Sequence, residues 1–158
     1  MIKYVDYQVT FAEVPDEVSL AFSISNCPGR CKGCHSPELR ENIGRDLLED
    51  LPSILQKYSS FVTCVTFLGE GNDLSSLKKA LDIAKAHGLK TCVYYGRDEY
   101  TDELPFSDYV KIGHYDAQYG GLSDPLTNQR FYQLHHKGWE IEFTSLTHKF
   151  WKKKEEIK

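Results

Sequence analysis

The chain has 158 residues, enough for one domain with a sizeable core. Its 41% apolar content suits a soluble globular protein, and no apolar run is long enough to span a membrane. The formal net charge of −4 argues against a general nucleic-acid binder, which carries a basic excess.

The first residues, Met1 to Tyr7, lack the long apolar segment of a signal peptide, so the expected location is the cytoplasm. There the five cysteines stay reduced. The chain shows no internal repeat or linker and reads as a single domain, 1–158. Residues 1–16 form an extended lead-in, ended by Val14-Pro15-Asp16. Residues 17–25 alternate apolar and polar over most of their length, as a strand does. Residues 37–44 are irregular and close on Gly44. Leu47, Leu48, Leu51, Ile54, Leu55 and Tyr58 then recur at helical spacing, with Pro52 predicting a start near Asp50 or a kink.

Residues 61–68 are nearly all apolar or β-branched and read as a buried strand. Asp73 is a natural N-cap for a helix through Leu74, Leu77, Leu81 and Ala84, stopped by Gly88. Strands follow at 89–95 and 108–112, with a short helical piece expected over 98–104. A long loop covers 114–127. Asn128 is expected to cap a helix over 129–137, and Gly138 separates it from a last strand near 139–145. The basic run Lys152-Lys153-Lys154 places a solvated tail over 146–158. Strands alternating with helices imply a mostly parallel α/β sheet, whose ligands bind at the carboxyl ends of the strands.

The chemistry concentrates just past the strand at 17–25. Cys27, Cys31 and Cys34 occupy one short loop, with spacing C-x3-C-x2-C. Three thiolates form a soft anionic set that selects zinc or an iron–sulfur cluster. A structural zinc wants four ligands, and the fourth here would be His35, adjacent to Cys34 and badly placed for one tetrahedral ion. A four-iron cluster held by three cysteines keeps one iron open for a substrate. Gly69-Glu70-Gly71, Gly96-Arg97 and Gly113-His114 also fall at strand ends, on the same rim as the cysteine loop. Lys111 is a charge inside an otherwise apolar strand, placed either to point into a site or to reach water at an edge. Cys64 and Cys92 lie within strands and read as buried apolar residues.

The cysteine loop resembles the signature of the radical S-adenosylmethionine (SAM) enzymes. Phe67-Leu68-Gly69-Glu70 stands where that superfamily carries a Gly-Gly-Glu/Asp turn, here without its first glycine and its proline. The segment Gly113-His114-Tyr115, Asp124-Pro125 and Asn128-Gln129-Arg130 looks like the late part of one member family, the activating proteins of anaerobic (class III) ribonucleoside-triphosphate reductase. That resemblance covers about residues 17–134.

The resemblance implies a small partial (β/α) barrel of the radical SAM type. It implies an oxidoreductase with a 4Fe-4S cluster held by Cys27, Cys31 and Cys34, catalytic through that cluster, with SAM on the open iron. Reductive cleavage of SAM would yield a 5′-deoxyadenosyl radical, which takes hydrogen from a glycine of the large reductase subunit and leaves a glycyl radical. Gly33, Cys34 and His35 would line the cofactor. Gly69 and Glu70 would meet its ammonium group, and Lys111 its carboxylate or ribose. The implied partners are the large reductase subunit and a small electron donor such as flavodoxin or ferredoxin, with no nucleic acid and no membrane. The Gly120-Gly121 loop and Asn128-Gln129-Arg130 would form the docking face. Two alternatives remain at this point: another small radical SAM enzyme, acting on a different glycyl-radical protein or a small molecule, and a metal-binding module without catalysis.

Overall fold

The computed structural model describes residues 1–26 and 41–151. It is an α/β structure. Eight strands form one open sheet: β1 (Lys3–Thr10), β2 (Ser19–Ile24), β3 (Arg45–Asp46), β4 (Cys64–Leu68), β5 (Lys90–Tyr94), β6 (Tyr109–Ile112), β7 (Arg130–Lys137) and β8 (Glu140–Ser145). Their order across the sheet is β3-β1-β2-β4-β5-β6-β7-β8.

The expectation of a mostly parallel sheet is corrected. The three central pairings, β2–β4, β4–β5 and β5–β6, are parallel. The four flanking ones are antiparallel. The reason lies in the connections. The lead-in folds back as β1 against β2, and residues 130–145 make a hairpin through Gly138; the long link 113–129 between β6 and β7 forms turns and bends with no helix to carry the chain back across the sheet, and β7 pairs antiparallel.

Helices α1 (Leu47–Tyr58) and α2 (Leu74–Ala86) supply the crossovers beside the central strands. Asp46 caps α1, its carboxylate accepting from the Leu48 amide, so this helix starts at Leu47, ahead of Asp50, and contains Pro52. Asp73 caps α2 through the Ser76 amide, and Gly88 follows its end at φ +76°. Leu47, Leu51 and Leu55 of α1 and Leu77, Ala80, Leu81 and Ala84 of α2 pack on Leu20, Phe22, Val65, Phe67 and Val93. Each fully buried leucine here stabilises the fold by about 2 kcal/mol.

The helix-free face differs in kind. One row across it, in register, is Ala21, Thr66, Cys92 and Tyr109. Small and polar side chains let other segments lie close. Val14 from the β1–β2 connection and Phe150 from the C-terminal region pack there with Cys64, Cys92, Tyr109 and Phe131. Residues 146–150 are thus not part of a solvated tail. Thr147–Phe150 forms a 3₁₀ turn with Thr147 buried, and the Phe150 ring lies 4.8 Å from that of Phe131.

Two further expectations fail. Residues 98–104 form bends and turns, not a helix, because Asp98 is engaged by His114 and does not cap the amides that follow it. Residues 129–137 form strand β7, not a helix. Phe131 and Leu134 are both buried, three apart as in a helix, but on opposite faces of the sheet.

Candidate functional site

The carboxyl ends of β2, β4, β5 and β6 form one rim, because these four neighbours run parallel. Ser25 and Asn26 leave β2 there. The Ser25 hydroxyl donates to Ile43 O at 2.5 Å and the Asn26 amide to Glu41 O at 2.9 Å, which ties down both sides of residues 27–40. Cys27, Cys31, Cys34, Gly33 and His35 fall within that span and lie outside the described residues.

After β4 the chain turns through Gly69 at φ +124°, with the Ile24 side chain beneath it. A left-handed backbone suits glycine, which has no Cβ to clash. Glu70 follows, 4% exposed. Its carboxylate is gripped by Arg97, which follows β5: Nε donates to both oxygens at 3.0 and 2.9 Å, and Nη2 lies 2.9 Å from Oε2. Arg97 Nη1 also donates to Glu103 Oε1 at 2.7 Å. Such forked bonds fix orientation as well as charge. Glu70 therefore fastens the β4 turn to the β5 turn.

Lys111 points to the same rim from the helix-free face. Its ammonium donates to Tyr95 O at 3.1 Å and Gly113 O at 2.9 Å, and stands 5.9 Å from the centre of the Tyr94 ring. At 9% exposure it is buried, so its head does not reach water at a strand edge. Gly113 is enforced: at φ +98°, a Cβ would lie 2.9 Å from Gln129 Cα and 3.0 Å from Asn128 O. Gln129 Nε2 also donates to Gly113 O, and Asn128 Nδ2 to His114 O. The Asn-Gln-Arg segment thus braces the end of β6. Arg130 itself donates to the Thr127 and Gln129 carbonyls.

Among the described residues, two buried polar atoms lack a hydrogen-bond partner, Tyr95 Oη and Asn128 Oδ1. Tyr95 follows β5 and Asn128 precedes β7, so both residues belong to the rim. Buried polar groups are normally paired, so each of the two is an exception to that rule. Sequence reading missed Tyr95 in this respect, because a tyrosine at the end of an apolar strand carries no signal of its missing partner.

The other two cysteines are structural. Cys64 and Cys92 are fully buried. Burial pushes the Cys64 thiol up to about 12 and the Cys92 thiol well above its usual range. Cys64 pairs in register with Ser19, seven residues before Asn26, and Cys92 aligns through Thr66 with Ala21, five residues before it. At about 3.3 Å per residue these thiols lie about 23 and 16 Å from the point where the cysteine loop begins. Three thiols are a soft donor set of the kind that zinc or an iron–sulfur cluster takes, and Cys27, Cys31 and Cys34 fall outside the described residues. Among the described residues, no group of three or more His, Cys, Asp or Glu side chains is gathered as a metal site.

Among the described residues, no helix is long and apolar enough to cross a membrane. Comparison of the chain with protein-family models, curated proteins and solved structures gave no match.

Proposed function

We propose that this chain is a cytoplasmic radical SAM activase, which reductively cleaves SAM and generates a glycyl radical on an anaerobic ribonucleoside-triphosphate reductase. One observation carries the reading. The strand that delivers C-x3-C-x2-C ends on the same rim as the Gly69-Glu70 turn, Lys111 and the braced Gly113. On this reading the open mixed sheet is a small partial (β/α) barrel of the radical SAM type.

Cys27, Cys31 and Cys34 would hold three irons of a 4Fe-4S cluster, leaving the fourth to SAM. When bound, this pair supplies reductive cleavage of the sulfonium and with it a hydrogen-abstracting radical. The residues of the chain bind and orient. Both oxygens of Glu70 already accept from Arg97, so the backbone oxygens of the Gly69-Glu70 turn are the better placed acceptors for the ammonium group. Lys111 brings a fixed positive charge for the carboxylate or a donor for the ribose. Gly33 and His35 would approach the cofactor from the cysteine loop. The electron would come from a flavodoxin or ferredoxin, and the large reductase subunit would dock over Gly120-Gly121 and Asn128-Gln129-Arg130.

Anaerobic reconstitution with iron and sulfide, then reduction in the presence of SAM, tests this. The expected result is about four irons with labile sulfide per chain and release of 5′-deoxyadenosine. One bound zinc, or a cluster that yields no 5′-deoxyadenosine, sinks the proposal. Formation of 5′-deoxyadenosine without a glycyl radical on the reductase keeps the chemistry and removes the partner.

A further inference from the structure

With turns in place of a helix between β5 and β6, the outer face of β6, β7 and β8 is left partly uncovered. A cleft of about 350 Å³ remains there, lined by Asp98, Glu99, Tyr100, Ile112, Tyr132 and Phe143. Its three rings meet edge to face. Phe143 stands 5.7 Å from Tyr100 at 74° and 5.6 Å from Tyr132 at 89°. Each ring is steadied by its neighbour, and the electron-rich faces of aromatic rings attract cations.

The charges at the cleft are of one sign. Asp98 and Glu99 line it, and among the described residues no lysine or arginine does. Asp98 is held in place through Oδ1, which accepts from the His114 amide at 3.2 Å and lies 2.7 Å from its Nδ1. The cations nearest in sequence are engaged elsewhere, Arg97 with Glu70 and Glu103, and Lys111 and Arg130 with backbone carbonyls.

We infer that this cleft receives an arginine side chain of a protein partner docking beside the rim. A planar guanidinium stacks on a ring face while its edge donates to carboxylates, which the point charge of lysine cannot do. The cleft is open, with Phe143 42% exposed, so it suits a side chain presented on a polypeptide better than a free metabolite that needs enclosure. The inference extends the docking face of the proposed activase, but its test needs neither cluster nor SAM.

The full-length chain is titrated with acetyl-Gly-Arg-Gly-amide and followed by NMR. Saturable shifts are expected at Tyr100, Ile112, Tyr132 and Phe143, with a Kd of about 1 mM. The same peptide with citrulline, neutral and nearly isosteric, is expected to bind about fivefold more weakly, as is the arginine peptide to the Asp98→Asn/Glu99→Gln variant. Phe143→Leu keeps an apolar side chain but removes the ring, and is expected to weaken binding about threefold. Equal affinity for the two peptides, or shifts centred elsewhere, overturns the inference. Tighter binding of free arginine than of the peptide overturns the protein partner. Failure here leaves 5′-deoxyadenosine formation standing, and loss of that activity leaves this titration unaffected.

Discussion

Two buried carboxylates, Glu17 and Glu70, sit at opposite ends of the same parallel strands and are held differently. Glu17, at the amino ends, accepts from the hydroxyls of Thr63 and Tyr109, each at 2.7 Å, and from Lys90 Nζ at 3.0 Å. Tyr109 and Lys90 are the first residues of β6 and β5, and Thr63 immediately precedes β4. Burial alone would raise the Glu17 pKa, but the bonds from Tyr109, Thr63 and Lys90, with the charge of Lys90, hold it below its usual range. Glu70 instead meets Arg97 between two turns. The amino end is a finished network on rigid strands. The carboxyl end is fastened through turns, the kind of segment on which binding residues are commonly carried.

The sharpest way to break this contrast is through the cysteines. Cys31→Ala is expected to abolish 5′-deoxyadenosine formation, whereas Cys64→Ala, buried at the amino end of β4, leaves most of it. Equal losses would remove the distinction between the two ends. Glu17→Ala strands a tyrosine, a threonine and a lysine, and is expected to cost about 3 kcal/mol in urea denaturation with the rim chemistry largely retained. The sign of its pH dependence is fixed. A folded pKa below the unfolded value of about 4.3 contributes stability above that pH and loses it as pH falls through the folded pKa. Glu17→Gln should therefore flatten the acid limb of the stability curve, and an unchanged limb would show that the network does not act as drawn.

Glu70→Gln weakens a turn-borne pair whose arginine is 36% exposed, so the expected stability cost is smaller, about 1 kcal/mol by thermal melting. Its larger effect should be a higher KM for SAM, since the Gly69 turn loses its tether. A melting loss with no change in KM would assign Glu70 to structure alone. The smallest effect is expected at the Lys149–Asp16 pair, 2.8 Å long and exposed on the aspartate side. Asp16→Asn should change stability by less than about 0.5 kcal/mol.

Much of the parallel centre was legible from residue pattern. β2, β4, β5 and β6 are short apolar or alternating runs, and the Asp73 cap and Gly88 stop framed α2 correctly. Cys64 and Cys92 were read as buried, as they are. The misreadings share a physical cause. β7 buries Phe131 on one face and Leu134 on the other, so a strand covered on both sides imitates the i, i+3 spacing of a helix. Residues 98–104 were expected to form a short helical piece, but Asp98 is bound to His114, 16 residues away, which local propensity does not report. The return of 146–150 onto the sheet was hidden by the lysines that follow it. At the rim, Lys111 and Glu70 were nameable as charges out of place. That Arg97 already holds Glu70 was not, because the pair joins turns 27 residues apart.

Gly113 carries a consequence for engineering. A randomised codon there, screened for folded protein alone, should return glycine almost exclusively, because the seam between β6 and β7 has no room for a methyl group. At Gly138, where nothing stands within 4 Å, the same screen should accept asparagine and aspartate, which tolerate the φ of +64°. The turn that leaves β6 is therefore closed to sequence change, and the turn that leaves β7 is open to it.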